Sequence, residues 1–212
     1  MTFIKICGIT NIDDARAAVA AGADALGFNF YKPSPRYIAP PAAREIVEQL
    51  PSSILTVGVF VNEDSPESVK KIASEAGVTA FQLHGDESPA YCRELSDRYV
   101  IKTLTVSGDF DIQMVQDYAR ARDVNAIMLD TRDNNLRGGT GRVFDWSVAI
   151  EVNKVVPKLF LAGGLSPENI SEAIELVRPY AVDACSALED RPGIKNHERM
   201  RAFVELARNV KP

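Results

Sequence analysis

The feature of this sequence that most constrains its fold is a regular alternation between short apolar runs and longer segments with helical periodicity. Strands that alternate with helices predict a parallel sheet, because each right-handed connection between parallel strands needs a crossover helix. The apolar runs begin roughly 25 residues apart, which is the length of one βα unit with short loops. Eight runs are predicted as strands: Phe3–Cys7, Ala25–Phe30, Ile54–Phe60, Ala80–Leu83, Val100–Leu104, Ala126–Leu129, Leu159–Leu161 and Val182–Cys185.

A helical segment follows each of these runs. Three segments begin with serine and proline, at Ser65, Ser88 and Ser166, which predicts a serine N-cap with proline in the first helical position. Gly22 and Gly77 stand where a helix C-cap favours a left-handed residue. The predicted helices are the segment after Asn11, Pro41–Leu50, Pro66–Ala76, Pro89–Asp97, Ile112–Ala121, Trp146–Glu151, Pro167–Val177 and His197–Arg208.

Eight βα units can close into a barrel or form an open, doubly wound sheet. An open sheet of this kind usually carries a G-x-G-x-x-G fingerprint after its first strand, where this sequence reads Cys7-Gly8-Ile9-Thr10. We therefore predict an α/β fold consisting of a single (β/α)8 TIM barrel, one domain over residues 1–212. In such a barrel the chemistry lies at the carboxyl ends of the strands and in the loops that follow them.

Composition and charge narrow the range of partners. The formal net charge is -5, which disfavours nucleic acid, and no apolar run approaches the roughly 18 residues of a membrane span. The N-terminus lacks the plan of a signal peptide. Three cysteines without a C-x-x-C pair indicate neither a disulfide framework nor a metal site. We expect a cytoplasmic protein with no nucleic-acid or membrane partner.

Polar residues and glycines concentrate at the predicted strand ends, in short blocks of distinctive sequence. The blocks are Lys5-Ile6-Cys7-Gly8-Ile9-Thr10, Lys32-Pro33-Ser34-Pro35-Arg36, Gln82-Leu83-His84-Gly85, Leu129-Asp130, Gly138-Gly139-Thr140-Gly141, Phe144-Asp145-Trp146, Leu161-Ala162-Gly163-Gly164-Leu165 and Pro192-Gly193-Ile194-Lys195. Taken in this order, they resemble the phosphoribosylanthranilate isomerase family. Each block alone is a weak signal, but together they cover essentially the whole chain.

The resemblance implies an enzyme of tryptophan biosynthesis, an aldose–ketose isomerase that acts on a phosphorylated aminosugar. The implied reaction converts N-(5-phosphoribosyl)anthranilate to 1-(2-carboxyphenylamino)-1-deoxyribulose 5-phosphate by an Amadori rearrangement, with Cys7 as general base and Asp130 as general acid. The substrate's own nitrogen accepts the electrons, so the resemblance implies neither a metal nor another cofactor. Whether the protein is a monomer or a homodimer stays open.

Cys7 and Asp130 each also have a purely structural interpretation. A cysteine on a buried strand is often only a small apolar residue, and a thiol with an ordinary pKa of about 8.5 acts as a base only where a cation or helix dipole favours the thiolate. Lys5 lies two residues before Cys7 on the same strand face, where it either supplies that charge or pairs with a carboxylate inside the barrel. Asp130 is either the acid or a helix N-cap or loop carboxylate.

Other positions are predicted to bind the substrate. Arg36 matches the anthranilate carboxylate, because a guanidinium pairs bidentately with a carboxylate; a solvated loop arginine is the alternative. His84 is expected to position a group rather than transfer protons, or to be structural, and Asp183 is expected to contact substrate. Each glycine of the phosphate site alternatively marks a turn with positive φ. The phosphate site is predicted after strands 6, 7 and 8, at Gly141, Gly163, Gly164, Ser186 and Ala187.

The loop after strand 8 departs from the family pattern. The family usually reads Asp-Val-Ser-Ser-Gly, whereas this sequence reads Asp183-Ala184-Cys185-Ser186-Ala187, so alanine is expected to restrict the backbone where glycine is usual. Closure of the barrel makes strands 1 and 8 neighbours, which brings Cys185 near Cys7. If their Cα atoms lie within about 7 Å, oxidation can join them in a disulfide; alternatively, Cys185 faces away and packs as a small apolar residue.

Three other functions share parts of this pattern. A histidine-pathway aminoaldose isomerase carries aspartate at the position of Cys7, and a sugar-phosphate epimerase requires strand-end carboxylates and histidines, often with a metal. A non-catalytic sugar-phosphate-binding protein on this fold keeps the glycine loops but has no need for both Cys7 and Asp130. The pair therefore favours the phosphoribosylanthranilate isomerase over these alternatives.

Overall fold

A computed structural model describes residues 1–106, 110–120, 124–131 and 146–210, and its eight parallel strands close into a barrel in chain order. The predicted (β/α)8 fold is confirmed. The strands are β1 (Phe3–Cys7), β2 (Ala25–Asn29), β3 (Leu55–Phe60), β4 (Ala80–Leu83), β5 (Tyr99–Val106), β6 (Ala126–Thr131), β7 (Leu159–Leu161) and β8 (Ala181–Ala184). The helices are α1 (Ile12–Ala21), α2 (Pro40–Val47), α3 (Pro66–Ala76), α4 (Pro89–Arg93), α5 (Ile112–Arg120), α6 (Ser147–Asn153), α7 (Ile170–Val177) and α8 (His197–Asn209). A short antiparallel pair, β9 (Glu189–Arg191) and β10 (Ile194–Lys195), lies between β8 and α8.

The barrel closes between its first and last strands. β1 pairs in parallel with β2 on one side and with β8 on the other, and the β1–β8 register places Lys5 opposite Asp183. Because side chains alternate along a strand, Lys5 and Cys7 point into the barrel while Ile4 and Ile6 face the helices. Closure therefore brings the two ends of the sequence to one wall of the interior.

The interior of the barrel has an apolar floor. Four of its members are the alanines that begin the even-numbered strands, which fits the layered packing of such barrels, where alternate strands supply each layer. Polar residues nearer the carboxyl ends of the strands therefore lie above packed apolar side chains. The buried members of this inner core are Ala25, Val57, Ala80, Ile101, Ala126, Met128, Phe160, Ala162 and Ala181.

Local signals determine several helix ends as predicted. Ser65 and Ser88 cap α3 and α4, because each serine hydroxyl accepts a backbone N–H of the first turn that otherwise has no partner inside the helix. Gly22 and Gly77 end α1 and α3 with left-handed φ values of 99° and 74°. These four predictions are confirmed.

The third Ser-Pro prediction was wrong. Helix α7 begins at Ile170 with Asn169 as its N-cap, and the residues between Ser166 and Ile170 form a turn. The Asn169 side chain accepts the N–H of Ser166 at 2.9 Å and donates to the carbonyl of Gly164 at 3.0 Å. These two bonds hold the chain in a turn before the helix begins.

Other boundaries also differ from the prediction: α2 ends at Val47 and not at Leu50, and β5 extends to Val106. Helix α4 ends early because the N–H groups of Leu95 and Ser96 bond to carbonyls three residues back, which closes tighter turns. Strand β8 ends at Ala184, so Cys185 lies outside the strand and precedes a 3₁₀ turn, Ser186–Leu188. Within the described ranges, no helix combines the length and apolarity needed to cross a membrane.

Candidate active site

The carboxyl ends of the strands carry a ring of polar side chains above the apolar floor. β1 contributes Lys5 and Cys7, β6 contributes Asp130, β8 contributes Asp183, and His84 directly follows β4. Alternation along each strand directs these positions into the barrel. The structure thus brings four predicted site residues, and Lys5 with them, to one end of the barrel.

Lys5 and Asp183 form a buried ion pair, with Nζ and Oδ1 2.8 Å apart. Burial acts to lower the pKa of Lys5, but the Asp183 carboxylate and Cys7 outweigh it and raise that pKa above its ordinary value. Burial, with the nearby Cys7 and Asp130, raises the pKa of Asp183 to about 7 against the opposing charge of Lys5. The carboxyl group is therefore the partner that titrates, and Lys5 is both a paired lysine and a positive charge beside Cys7.

Cys7 lies near the ammonium groups of Lys5 and Lys195. A hydrogen bond with Cys185 lowers the pKa of Cys7 well below its usual range, and although burial opposes this, the ammonium groups of Lys5 and Lys195 lower the pKa further. The same hydrogen bond, together with burial, raises the pKa of Cys185. The surroundings therefore favour a thiolate on Cys7 and a protonated thiol on Cys185. The alternative in which Cys185 faces away is wrong.

Two glycines make room for these sulfur atoms. Gly27 pairs with Cys7 across β1 and β2, and a Cβ added to Gly27 would lie 2.7 Å from the Cys7 Sγ. A Cβ added to Gly8 would lie 2.9 Å from the Cys185 Sγ. Both distances are too short for a real Cβ contact, so the absence of a side chain is what allows each thiol to sit against its neighbouring backbone.

Arg36 reaches the site from the segment between β2 and α2, and Glu189 holds it there. The Glu189 carboxylate accepts hydrogen bonds from Arg36 Nη2 at 2.7 Å and Nε at 2.9 Å, and from Lys195 Nζ at 2.9 Å. Burial opposes ionisation of Glu189, but these two cations outweigh it and lower its pKa. The same hydrogen bonds raise the pKa of Arg36. Arg36 is thus an anchored arginine and not a solvated loop residue.

Sequence reasoning missed Glu189 and Lys195. Lys195 ends one of the sequence blocks, which was the available signal, but no role was predicted for it. Glu189 lies in a stretch that no block covers. The β9–β10 pair places the two residues side by side, and strands of two and three residues are too short to show a periodic pattern.

His84 is the partner of Asp130. The His84 Nε2 lies 3.1 Å from the Asp130 Oδ2, and the His84 Nδ1 lies 3.1 Å from the amide nitrogen of Gln82. The His84 and Asp130 side chains are 22% and 26% exposed, so Asp130 still faces the open mouth of the barrel. Because Asp130 lies within β6, its interpretation as a helix N-cap is wrong.

A second buried ion pair supports the loops beside His84. Lys102 Nζ lies 2.7 Å from Glu87 Oε2 and 2.5 Å from the carbonyl of Gly85, and the two charged side chains are 1% and 2% exposed. The Glu87 carboxylate also accepts the N–H of Asn62 at 2.8 Å and that of Gly85 at 3.0 Å. One carboxylate therefore ties the loops after β3 and β4 to strand β5.

The positions predicted to hold phosphate follow neighbouring strands. Gly163 and Gly164 come after β7 with φ values of 84° and 71°, and among the described residues their N–H groups have no hydrogen-bond acceptor. Ser186 and Ala187 lie in the 3₁₀ turn after β8. Gly141 lies outside the described residues.

The alanine in the loop after β8 requires no unusual backbone. Ala187 lies within the 3₁₀ turn, and positive φ among the described non-glycine residues occurs at Asn62 and Arg178 only. Glycine's conformational freedom is not needed at this position. The expected restriction by alanine therefore does not arise.

The fold and the ring of polar groups together define a class of protein. Side chains suited to moving protons, namely a cysteine with a lowered pKa and an aspartate paired with a histidine, lie at the carboxyl ends of closed (β/α)8-barrel strands. Barrel enzymes carry their active sites at this end, and groups with shifted pKa values concentrate at such sites. The class is that of (β/α)8-barrel enzymes.

Comparison with known proteins identifies the family. The family model described as N-(5'phosphoribosyl)anthranilate (PRA) isomerase matches residues 4–206. The N-(5'-phosphoribosyl)anthranilate isomerase of Desulforudis audaxviator is 49% identical over 212 residues, which cover 99% of this chain and 100% of that protein. The chain belongs to the N-(5'-phosphoribosyl)anthranilate isomerase family and is an isomerase.

Solved structures agree with this assignment. The phosphoribosyl anthranilate isomerase of Thermotoga maritima superposes with a TM-score of 0.90 at 44% identity, over 98% of this chain and 99% of that one. A phosphoribosyl anthranilate isomerase in complex with reduced 1-(o-carboxyphenylamino)-1-deoxyribulose 5-phosphate superposes with a TM-score of 0.87 at 42% identity, over the same shares of the two chains.

Proposed function

We propose that this isomerase converts N-(5-phosphoribosyl)anthranilate to 1-(2-carboxyphenylamino)-1-deoxyribulose 5-phosphate by an Amadori rearrangement within tryptophan biosynthesis, with Cys7 as general base and Asp130 as general acid. The observation that carries the proposal is a cysteine whose pKa is held low, in the same barrel mouth as a partnered, solvent-facing aspartate. The complex of a solved relative with reduced 1-(o-carboxyphenylamino)-1-deoxyribulose 5-phosphate also supports it.

The rearrangement needs one acid and one base. The acid protonates the ring oxygen of the furanose, the bond from that oxygen to C1 breaks, and the anthranilate nitrogen supplies an electron pair to form an iminium ion. The base then removes the proton from C2, and the electrons of that C–H bond return to nitrogen to give an enolamine. Tautomerisation of the enolamine moves a proton from the C2 hydroxyl group to C1 and yields the ketone. Each proton transfer by a positioned side chain typically contributes about 10²–10⁴-fold.

Cys7 suits the base because its surroundings favour the thiolate before the substrate arrives. Lys5 and Lys195 place two positive charges near the sulfur, and its interaction with Cys185 lowers the pKa of Cys7 as well. A thiol at its ordinary pKa is mostly protonated at neutral pH and cannot accept the C2 proton. The positive charges thus supply the condition that the residue type alone lacks.

Asp130 suits the acid because it faces the mouth of the barrel while one of its oxygens is held. His84 engages Oδ2 at 3.1 Å, which leaves Oδ1 for the ring oxygen of the substrate.

Arg36 is proposed to bind the anthranilate carboxylate. Glu189 engages the Nε and Nη2 atoms, and among the described residues Nη1 has no hydrogen-bond acceptor. Because Glu189 anchors one edge of the guanidinium, the other edge is oriented before substrate binds. This orientation reduces the conformational entropy that is lost on binding. Asp183 is proposed to contact a substrate hydroxyl through Oδ2, since Lys5 engages Oδ1.

The phosphate is proposed to bind to backbone amides after β6, β7 and β8. Consecutive amides with left-handed φ values form a concave nest that suits an anion, and Gly163 and Gly164 have this geometry with open space beside Gly164. Ser186 and Ala187 supply amides from the neighbouring 3₁₀ turn, and Gly141 is proposed to complete the site from the loop after β6.

The proposal is tested by the fluorescence change as purified protein consumes N-(5-phosphoribosyl)anthranilate. Cys7→Ala and Asp130→Asn should each lower kcat by about 10³-fold or more with the circular dichroism spectrum unchanged, because each removes a proton-transfer group. Cys92→Ala, at a buried cysteine outside the site, and Asp97→Asn, at a surface aspartate, are the matched controls and should retain kcat. Near wild-type turnover by either site variant would refute its assigned role.

The alternative functions are tested with the same protein. The aminoaldose substrate of the histidine pathway and a pentulose 5-phosphate should give no product at concentrations that saturate the proposed reaction. Binding of the phosphoribosyl substrate without any turnover would support the non-catalytic sugar-phosphate-binding protein and reject the enzyme proposed here.

A further inference from the structure

Gln82 is a buried polar residue that the proposed chemistry leaves without a role. It lies on β4 with 1% of its surface exposed, and its amide nitrogen Nε2 lies 3.1 Å from the His84 Nδ1 and 3.3 Å from the Thr103 Oγ1. Its oxygen Oε1 is buried and has no hydrogen-bond partner among the described residues. Burying an amide with one atom left without a hydrogen bond costs free energy. We therefore expect the contact that the other atom of this amide makes with His84 to have a role that offsets this cost.

The contact with Gln82 determines which nitrogen of His84 carries the proton. An amide nitrogen only donates, so the His84 Nδ1 must be the acceptor and the ring proton must be on Nε2. The opposite orientation of the Gln82 amide would bury an NH₂ group, with two unsatisfied donors, where one unsatisfied acceptor now lies. That exchange is unfavourable, which selects the orientation in which nitrogen faces His84.

The Nε2 proton of His84 points at Asp130. Nε2 lies 3.1 Å from Oδ2, so a neutral His84 in this form donates to the carboxyl group. In the other neutral form, Nε2 would present a lone pair to the carboxylate that remains after Asp130 has given up its proton. Two acceptors in contact repel each other, and the proposed acid would lose the group that holds it.

We propose that Gln82 is a positioning residue that keeps His84 in its Nε2–H form, so that His84 holds the Oδ2 of Asp130 and leaves Oδ1 for the substrate. This inference rests on the proposed function of Asp130 as general acid. Gln82 does not touch the reacting atoms. It acts through two hydrogen bonds in series, from Gln82 to His84 and from His84 to Asp130. Gln82 and Asp130 lie on strands with their side chains directed into the barrel, and His84 directly follows strand β4.

The first experiment measures the proton directly. Nitrogen-15 NMR of the imidazole rings distinguishes the two neutral forms, and the chain contains only two histidines. His197 serves as the internal control, because its Nε2 pairs with Asp14 at 2.7 Å, far from Gln82 in the sequence. We expect the neutral form of the wild-type His84 to carry its proton on Nε2. A proton on the Nδ1 of His84 in the wild-type protein would overturn the proposal without any variant.

The second experiment uses two variants of Gln82 that differ in polarity. Gln82→Met removes both hydrogen-bonding atoms at similar length and should let His84 populate both neutral forms. Gln82→Glu supplies only acceptors and should move the proton of His84 to Nδ1 or make the ring cationic. For both variants we expect kcat to fall by about 10–100-fold with KM within about 3-fold, as for a lost hydrogen bond to a charged group, and the dependence of kcat on pH to change.

The control variant is Thr103→Val, which removes one of the two further partners of the Gln82 amide nitrogen, the second being Met128 Sδ at 3.3 Å, at nearly constant shape. It should leave the ring proton of His84 and the pH–rate profile in place. A Gln82→Met protein that keeps the wild-type form of His84, or that keeps both kcat and the pH–rate profile, would refute the positioning role. If instead Asp130→Asn retains turnover, the proposed function of Asp130 fails, whereas the NMR result for His84 stands independently.

Discussion

The buried pair of Lys102 and Glu87 is predicted to be a large source of stability. Removing one member of a buried ion pair leaves an uncompensated charge in the interior, which typically costs about 3–5 kcal/mol. Both side chains here are almost fully buried, so solvent does not screen the remaining charge. Lys102→Met should therefore lower the free energy of unfolding by about 3–5 kcal/mol, or roughly 10 °C in Tm for a chain of this size.

The measurement is urea-induced unfolding followed by circular dichroism, with thermal unfolding alongside. Lys154→Met is the matched control, since its partner Glu151 and Lys154 itself are 59% and 61% exposed. An exposed pair contributes at most about 1 kcal/mol, so this variant should unfold close to wild type. A control that loses as much stability as Lys102→Met would show that the loss does not depend on burial of the ion pair.

A double-mutant cycle separates the charge pair from the backbone hydrogen bonds. Glu87 also accepts the N–H groups of Asn62 and Gly85, so Glu87→Gln should be costly alone but cost about 2–3 kcal/mol less when Lys102 is already methionine, because the ion pair is then absent. The double variant should remain less stable than wild type, since the NH₂ group that replaces Oε2 cannot accept the Gly85 N–H, which keeps only its longer bond to Oε1. Strictly additive effects, or a loss below about 1 kcal/mol for Lys102→Met, would refute the reasoning.

Further predictions concern the site. kcat/KM should rise with pH as Cys7 deprotonates, and this rise should lie at lower pH than for a free thiol because the surroundings lower the pKa of Cys7. A profile without a rising limb, or one that rises only where a free thiol titrates, contradicts the role of Cys7 as base. Arg36→Met should mainly raise KM, because Arg36 is expected to bind the carboxylate equally well in the ground state and the transition state. A loss confined to kcat would assign Arg36 to the chemical step instead. Gly27→Ala should lower kcat by about 10-fold or more, because its Cβ displaces the Cys7 sulfur; an undiminished kcat would contradict that packing. Peroxide should inactivate the wild type, and a thiol should restore its activity. Peroxide oxidises Cys7 to a sulfenic acid, which condenses with the Cys185 thiol to form a disulfide and release water. Equal inactivation and recovery in Cys185→Ser would leave Cys185 without a role.

Local chemistry explains what could be predicted about the fold. Strand and helix periods involve neighbours only a few residues apart, and the caps at Ser65 and Ser88 involve bonds that span three residues. Such signals are legible in a sequence because all of their partners are close along the chain. Ser166 shows where this reasoning fails: a competing side chain three residues away, Asn169, held a turn in place of the helix.

The sequence alone determined the eightfold alternation, the closed barrel that it favours, and the site positions implied by the family blocks. The partners within the site were decided only by the tertiary structure. Lys5 and Asp183 lie 178 residues apart, and Arg36 and Glu189 lie 153 apart, so no local pattern links them. The physical reason is that the lateral pairing of β1 with β8 and the packing of the loops above the barrel determine which charges meet. Those contacts exist only once the whole barrel has closed.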